Sequence, residues 1–232
     1  MTDLTLIYYT ANTIPDSVGE KIRQHTLEVA GNEYPIVSVS QKPINFGINI
    51  CVGEIGQSYY NMHRQMLIAA ENAKTKYVAF CDDDTLYNKE HFACRPSSDD
   101  TFAFNLNWWY ADGTRFWHKG DRSKDTGMCQ CICAKELVIA NYQTRFNVFP
   151  PLDQDQDKVA QRRWMEPGRD DEYFGMPNAK TEHFRSAKPT LVFNRRYSLG
   201  GRRKWWHGAT LVKSLPDWGN ARALWTEYWG AE

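Results

Sequence analysis

The sequence predicts an α/β fold in which a mixed, mainly parallel, Rossmann-like sheet is flanked by helices. Two observations support this prediction. Residues 4–81 alternate three apolar, β-prone runs with two segments of helical period, and such runs are typical of strands buried on both faces. Each helical segment is also long enough to return the chain to the same edge of the sheet, as a parallel connection requires.

The first predicted unit is a strand followed by a helix. Residues 4–9 form a continuous apolar run. Asp16 or Ser17 is expected to cap a helix, because short polar side chains accept hydrogen bonds from the first helical turn. This helix is expected to run to about Ala30, where Gly31 can take up the backbone conformation that ends it.

The next units complete a parallel core. Residues 35–40 are predicted to form the second strand, and a loop with three glycines follows them. Residues 58–74 place apolar side chains at helical spacing, and residues 77–81 form a third apolar run. In parallel sheets ligands bind beyond the carboxyl ends of the strands, so the residues that follow each strand are the candidates for a site.

The second half of the chain predicts further strands and one long loop. The turn at Asp112 and Gly113 is a strong hairpin signal. The predicted segments are a strand over 102–110, its return from 115 to 118, a strand over 128–134, a helix over 135–142, a loop over 149–169 and a last strand over 189–193. Along the strand over 128–134, Cys129, Cys131 and Cys133 are expected to share one buried face.

Three consecutive aspartates, Asp82, Asp83 and Asp84, come directly after the third strand. Adjacent carboxylates repel one another, and one of them keeps its proton unless a cation neutralises the set. Mg²⁺ and Mn²⁺ take oxygen ligands and keep positions open for phosphates. The cluster therefore predicts a divalent metal site, while a solvated turn is the simpler alternative.

This arrangement resembles the family 2 glycosyltransferases of the GT-A fold. The resemblance rests on the order of the elements and on the sequence Tyr-Val-Ala-Phe-Cys-Asp-Asp-Asp over residues 77–84. Gly56, Asn61 and Arg64 are similar to residues of the helix that precedes the Asp-X-Asp motif of that family. The match covers roughly residues 4–175.

The resemblance implies a donor and a cofactor. The donor is expected to be a nucleotide-diphosphate sugar, most simply a UDP-sugar, and the cofactor Mn²⁺ or Mg²⁺. Asp82 and Asp84 correspond to the metal-binding pair, with Asp83 beside them at the donor. Thr10 and Asn12 lie where the family binds the nucleotide, and Gly56, Asn61 and Arg64 join this donor-binding set.

The family that the chain resembles inverts the anomeric centre, which requires one carboxylate base on the acceptor side. Asp170 or Asp171 is the first candidate for this base and Glu166 the second. The alternative is a charged loop in which Arg169 serves as the counter-ion.

The late histidine that many GT-A enzymes add to the metal site is missing from its expected position. The strand over 189–193 is followed by an asparagine and then by Arg195 and Arg196. His183 and His207 lie nearby but out of register. Arg195 or Arg196 is expected to neutralise part of the charge on the departing diphosphate.

Residues 183–216 carry eight lysines and arginines and no acidic residue, in a chain whose 28 basic and 28 acidic residues cancel. Tyr197, Trp205 and Trp206 are interleaved with them. Basic charge combined with stacking rings is typical of a nucleic-acid surface, which suggests a hydroxymethylated base in DNA as the acceptor. A glycan acceptor, a diphosphate-binding role and a solvated tail remain alternatives.

These predictions divide the chain into a catalytic domain over 1–182 and a basic C-terminal segment over 183–232 packed on it. The catalytic domain comprises a nucleotide-sugar half (1–100) and an acceptor half (101–182). No signal-peptide or membrane-helix pattern is present, so a cytoplasmic protein with reduced cysteines is expected. A nucleotidyltransferase and a non-catalytic nucleic-acid or carbohydrate binding module are the rival functions.

Overall fold

A computed structural model describes residues 2–118, 127–148, 164–167, 180–195 and 209–230, together with residues 171, 176 and 199. Fourteen strands occur in these residues. In chain order they are β1 (Leu4–Thr10), β2 (Ile36–Ser40), β3 (Ile48–Cys51), β4 (Tyr77–Asp82), β5 (Thr85–Leu86), β6 (Thr101–Asn105), β7 (Trp108–Ala111), β8 (Phe116–His118), β9 (Cys131–Ala134), β10 (Lys180–Phe184), β11 (Thr190–Phe193), β12 (Thr210–Val212), β13 (Ser214–Leu215) and β14 (Gly219–Asn220).

The main sheet is mixed and mainly parallel. Its order is β10-β6-β9-β4-β1-β2-β3. Strand β1 is central, buried at all seven residues, and parallel to both β2 and β4. Only β9 runs antiparallel to its neighbours among the described strands of this sheet. The predicted α/β class, with its mixed and mainly parallel sheet, is therefore confirmed.

Helices pack against the strands and against one another, and they bury apolar side chains. They are α1 (Asp16–Ala30), α2 (Tyr59–Asn72), α3 (Lys89–Ala93), α4 (Lys135–Val148) and α5 (Ala221–Trp229). The apolar face of α2 packs with α4 on the strands, and Met66 of α2 and Phe80 of β4 are fully buried in the same apolar core. Burying a side chain of this size contributes about 1.5–3 kcal/mol. Ser58 caps α2 by accepting from the Asn61 amide, whereas α1 begins after Pro15 without the side-chain cap expected from Asp16 or Ser17.

Strand β3 lies where the sequence predicts only a glycine loop. It is an edge strand with Ile48 63% exposed, so it has no continuous apolar run to reveal it. Asn49 holds the edge by donating to the hydroxyls of Ser38 and Ser40. At Gly47 φ is +59°, and a Cβ there would lie 2.4 Å from a backbone oxygen of the preceding strand. Long-range pairing, rather than local composition, therefore creates β3.

The single strand predicted over 102–110 is two strands in different sheets. β6 ends at Asn105 and β7 begins at Trp108. The side chain of Asn105 accepts from the Asn107 amide and donates to Ser186, which bends the chain between them. The predicted hairpin at Asp112 and Gly113 is confirmed, because β7 and β8 pair as antiparallel strands across it.

A second sheet brings the C-terminal half back to the aspartates. Its order is β12-β8-β7-β11-β5. The last strand predicted by the sequence is β11, which is antiparallel to β5 and parallel to β7. The Phe193 amide donates to the carbonyl oxygen of Asp84 at 2.8 Å, so the end of β11 is fastened to the aspartate turn. The predicted boundary between residues 182 and 183 falls inside β10.

The C-terminal helix packs on α1. Leu224 and Tyr228 of α5 share an apolar cluster with Val18 and Ile22 of α1. Among the described residues, no helix has the length and apolar character needed to cross a bilayer.

Candidate active site

A cavity opens at the carboxyl ends of β1 and β4, the two central parallel strands. Thr10 lines it from β1, and the three aspartates line it from the end of β4 and the turn that follows. Parallel strands leave unpaired backbone groups and the following loops at this edge, which is why ligands bind there in open α/β sheets. The sequence-predicted location of the site is thus the location of the cavity.

The three aspartates converge as the sequence predicts. One carboxylate oxygen from each of Asp82, Asp83 and Asp84 lies within 4.8 Å of the other two. Asp83 and Asp84 are buried and Asp82 is half-buried. The Asp82 amide donates to the hydroxyl of Tyr87, which itself donates to the carbonyl oxygen of Cys129. The turn that carries the carboxylates is therefore fixed by hydrogen bonds of the fully buried Tyr87 side chain.

Thr10 connects the first strand to this cluster. Its hydroxyl donates to Oδ2 of Asp83 at 2.6 Å and accepts from the Asn12 amide at 2.9 Å. Asn12 has a positive φ of +54°, and its side-chain oxygen accepts hydrogen bonds from the backbone amides of Gln41 and Lys42. The predicted donor-binding residues of this loop therefore differ in position: Thr10 lines the cavity, and the Asn12 oxygen fastens the loop to the end of β2.

Arg195 supplies the positive charge beside the aspartates. Its Nη2 lies 2.9 Å from Oδ1 of Asp83 and its Nε 3.2 Å from Oδ2 of Asp84. The residue is only 7% exposed. The sequence predicts Arg195 near the diphosphate of a donor, and the structure places it directly against the acidic cluster.

One arginine does not balance three carboxylates. Burial, followed by the charges of Asp84 and Asp83, raises the pKa of Asp82 well above its ordinary value. Burial also raises the pKa of Asp84, although Arg195 acts in the opposite direction. Raised pKa values mean that the ionised cluster is costly without another cation.

The carboxylates fit a hard divalent ion. Two ligands on opposite sides of an Mg²⁺ ion lie about 4 Å apart, given bonds of about 2.1 Å. The ligand atoms of the cluster are all oxygens and lie within 4.8 Å of one another, so small side-chain rotations would bring them to this spacing. Asp82 and Asp84, the predicted metal pair, belong to the cluster together with Asp83.

A network of hydrogen bonds shapes the wall of the cavity beside Thr10. Gln41 accepts from the Gly56 amide and donates to the Gly56 carbonyl oxygen, while Asn61 donates to that same oxygen. Gln65 donates to the carbonyl oxygens at the ends of β1 and β2. Sequence reasoning missed Gln41 and Gln65, although a glutamine on the buried face of α2 is a signal that could have identified Gln65.

The predicted donor-binding residues near α2 separate into two groups. Gly56 lines the cavity, and Asn61 is buried behind it as a support of the loop. Arg64 is exposed on α2 and is absent from the described cavity wall. Gly56 precedes α2 and Asn61 lies in its first turn next to the loop, whereas Arg64 lies about one turn farther along the helix.

Two of the three candidate bases are described, and of these Glu166 lines the cavity, where it is 5% exposed. Asp171 instead forms an ion pair with the fully buried Arg145, which also donates to the Trp164 carbonyl oxygen and to Asn141. Asp170 lies outside the described residues.

The remaining predicted groups do not complete the described site. His183 is exposed on β10, an edge strand that is separated from β4 by β6 and β9. Its exposure shows that the register of the strand directs the ring to solvent. His207 and Arg196, with Arg202, Arg203 and Lys204 of the basic segment, lie outside the described residues.

Aromatic side chains form another wall of the cavity. Trp108 and Tyr110 from β7 line it, with their ring centroids 4.9 Å apart. Tyr110 stacks on the buried Trp117 at 4.1 Å, which fixes its ring. Cys129 also lines the cavity from a 3₁₀ helix over Met128–Gln130, so the predicted strand begins later, at Cys131, and the three cysteines do not share one buried face.

No protein-family profile and no curated protein sequence matches the chain. Among solved structures, it is similar to a glycosyltransferase involved in the glycosylation of the major capsid of PBCV-1, with 8% identity and a TM-score of 0.49 over 82% of this chain and 92% of that one. It is also similar to S. aureus TarS in complex with UDP-GlcNAc, with 14% identity and a TM-score of 0.49 over 85% of this chain.

A third similar structure is a Drosophila β1,4-galactosyltransferase 7 mutant in complex with manganese, UDP-Gal and xylobiose, with 11% identity and a TM-score of 0.47 over 89% of this chain and 78% of that one. The chain spans 60% of the TarS fragment with UDP-GlcNAc and 37% of a longer TarS structure.

Proposed function

We propose that the protein is a metal-dependent glycosyltransferase of the GT-A type that moves a sugar from a nucleotide-diphosphate sugar, most simply a UDP-sugar, to an acceptor hydroxyl. The observation that carries the proposal is the convergence of Asp82, Asp83 and Asp84 in a cavity at the carboxyl ends of parallel strands. The resemblance of residues 77–84 to the Asp-X-Asp motif points to the same class.

In this proposal, the aspartates hold Mn²⁺ or Mg²⁺ through their oxygens, and Asp82 and Asp84 are the principal ligands. When bound, the ion supplies positive charge that stabilises the departing diphosphate. Thr10 orients Asp83 through its 2.6 Å hydrogen bond, and the loop at Gly56 forms the adjoining wall for the nucleotide.

Glu166 is the proposed general base of an inverting reaction. It lines the cavity, whereas Asp171 is engaged by Arg145. A carboxylate within reach of the acceptor hydroxyl accepts its proton as the oxygen attacks the anomeric carbon. This ranking puts Glu166 ahead of Asp171, whereas Asp170, which lies outside the described residues, stays a candidate.

Donor turnover tests the proposal directly. The protein is incubated with Mn²⁺ and a panel of UDP- and GDP-sugars, and released nucleotide is measured. Asp82→Asn and Asp84→Asn should abolish the release that the wild type shows. Asp99→Asn is the matched control, because its side chain is 62% exposed and pairs with Lys76 on the surface. The proposal is wrong if no donor is turned over and Asp84→Asn leaves both metal and nucleotide affinity unchanged.

A hydroxymethylated base in DNA is the first proposed acceptor, supported by the eight basic residues within 183–216. Among the described members of this set, Arg195 lies on the aspartates, and Lys188 lies 3.8 Å from Asp217. A titration with duplex DNA at two salt concentrations tests this acceptor, since phosphate contacts make affinity fall steeply with salt. Absence of binding, or binding independent of salt, would count against DNA.

A saccharide is the second proposed acceptor, supported by the aromatic wall of Trp108 and Tyr110. Aromatic faces pack against sugar rings and bases alike, so the wall alone does not distinguish the two. Transfer of a labelled sugar to oligosaccharides, compared with transfer to DNA that contains 5-hydroxymethylpyrimidines, separates them. Trp108→Ala should weaken transfer to the true acceptor while donor hydrolysis persists.

A further inference from the structure

Arg195 occupies oxygens that a metal ion would use. Its guanidinium contacts Oδ1 of Asp83 and Oδ2 of Asp84, and all three side chains are at most 8% exposed. In the described contacts, Asp82 receives a hydrogen bond from the Asp83 amide but forms no ion pair. The arginine is therefore placed on two members of the cluster and leaves the third for another partner.

The backbone around Arg195 is fixed, whereas its side chain lines the cavity. Phe193 and Asn194 donate to the carbonyl oxygens of Asp84 and Ala111, at 2.8 and 2.7 Å. The Cα of Arg195 is thus held beside the cluster by neighbouring backbone bonds. Arginine has several rotatable side-chain bonds, and this side chain lines the open cavity. Its guanidinium can therefore leave the carboxylates without unfolding β11.

The net charge of the site favours a divalent ion, and the shared oxygens set that ion against the guanidinium. Three ionised carboxylates and one guanidinium leave two negative charges, which is the charge that a divalent cation balances. However, a divalent ion on the oxygens of Asp83 and Asp84 would meet the guanidinium at close range. Two cations a few ångströms apart in a buried site repel strongly. The guanidinium and the ion therefore compete for the same oxygens.

We propose that Arg195 is a built-in counter-cation, which holds the acidic cluster together before loading, yields Asp84 to the divalent ion, and then binds the diphosphate of the donor. This inference rests on the proposed function. It predicts opposite effects of Arg195 on two ligands: the residue weakens the binding of the metal alone and strengthens the binding of the metal-bound nucleotide. A purely structural arginine would not produce these opposite effects.

Metal and nucleotide titrations test the inference. Mn²⁺ binding without nucleotide is followed by electron paramagnetic resonance, and UDP binding in saturating Mn²⁺ by calorimetry. We expect Arg195→Gln to bind Mn²⁺ about tenfold more tightly than the wild type and UDP about tenfold more weakly, as loss of one charge at close range implies. Arg195→Lys keeps the charge and should bind Mn²⁺ more nearly like the wild type.

A measurement on the wild type covers the case in which Arg195→Gln does not fold. Phenylglyoxal modifies accessible arginines, and mass spectrometry reports the modification of Arg195. Mn²⁺ should increase this modification, and UDP added with Mn²⁺ should suppress it. The inference is overturned if Arg195→Gln binds Mn²⁺ no more tightly than the wild type, or if Mn²⁺ leaves the modification unchanged.

The same titrations distinguish failure of the inference from failure of the proposed function. If Asp84→Asn loses Mn²⁺ binding while Arg195→Gln leaves it unchanged, the metal site stands and only the role of Arg195 falls. If the wild type binds neither Mn²⁺ nor UDP and turns over no donor, the proposed function itself fails, and the inference fails with it.

Discussion

The hydroxyl of Thr10 donates a 2.6 Å hydrogen bond to Asp83 and so joins the carboxyl ends of β1 and β4. Both residues are buried, and the hydroxyl oxygen also accepts a hydrogen bond from the Asn12 backbone amide. One small side chain thereby links the loop after the first strand to the middle aspartate of the cluster. The relationship shows how the two central strands set the geometry of the cavity.

Thr10→Val should destabilise the protein by about 1–3 kcal/mol, because it leaves a buried carboxylate oxygen and a backbone amide without the hydroxyl. Thr10→Ser keeps the hydroxyl and should recover most of this loss. Urea unfolding of both variants beside the wild type measures the difference. Equal midpoints for Thr10→Val and the wild type would show that water replaces the hydroxyl at no cost.

Arg145→Met should destabilise the protein by about 3–5 kcal/mol and lower donor turnover. The change removes the charge that pairs with Asp171 and the donor that binds the Trp164 carbonyl oxygen, in a side chain that is fully buried. The segment that carries Glu166 would lose its anchor. Asn147→Met on the exposed face of α4 is the matched control, and denaturant unfolding with an activity assay is the measurement. A loss below 1 kcal/mol would contradict the anchoring role.

His91 should make the protein less stable in acid. Burial lowers the pKa of His91 to about 3, whereas a histidine in the unfolded chain titrates near about 6.5. The unfolded chain therefore binds the extra proton first. The contribution of neutral His91 to the free energy of unfolding is fully present above about pH 6.5. It is lost as the pH falls toward 3, by at most about 1.4 kcal/mol per pH unit.

Comparison of unfolding free energies from pH 7.5 to pH 4.5 measures this effect. His91→Gln should flatten the pH dependence, while His183→Gln on the exposed face of β10 should leave it as in the wild type. A slope that is identical in all three proteins would assign the acid sensitivity to other groups.

The stabilisation by Mn²⁺ should increase with pH. Burial and neighbouring carboxylates raise the pKa of Asp82 well above the ordinary range and that of Asp84 in the same direction. In the metal-free protein such groups favour the fold at low pH, and this contribution is lost as the pH rises through their raised pKa values. Mn²⁺ requires the ionised forms, so it competes with protons at low pH and offsets the repulsion at higher pH.

Thermal unfolding with and without Mn²⁺, from about pH 5 to pH 7.5, checks this expectation. The upward shift of the melting temperature should grow across the range in the wild type and should be small at every pH in Asp82→Asn, whose charge is removed. An equal shift at both ends of the range would mean that no proton is released when the ion binds.

The parallel core and the aspartate cluster could be predicted because their signals are local. Apolar periodicity over residues 4–81 is sufficient to place β1, α1, β2, α2 and β4. A run of aspartates directly after a buried strand is itself a chemical signal, since their mutual repulsion calls for a cation. The edge strand β3 has no such signal, because half-exposed strands with polar side chains resemble loops in sequence.

The sequence by itself determined the fold class and the residues that form the acidic cluster, since both depend on neighbours in the chain. Only the tertiary structure decided that Arg195 lies on Asp83 and Asp84, that Glu166 rather than Asp171 lines the cavity, and that Gln41 supports the Gly56 loop. Arg195 is more than a hundred positions from its partners in the sequence. Such contacts follow from the pairing of distant strands, which no local pattern records.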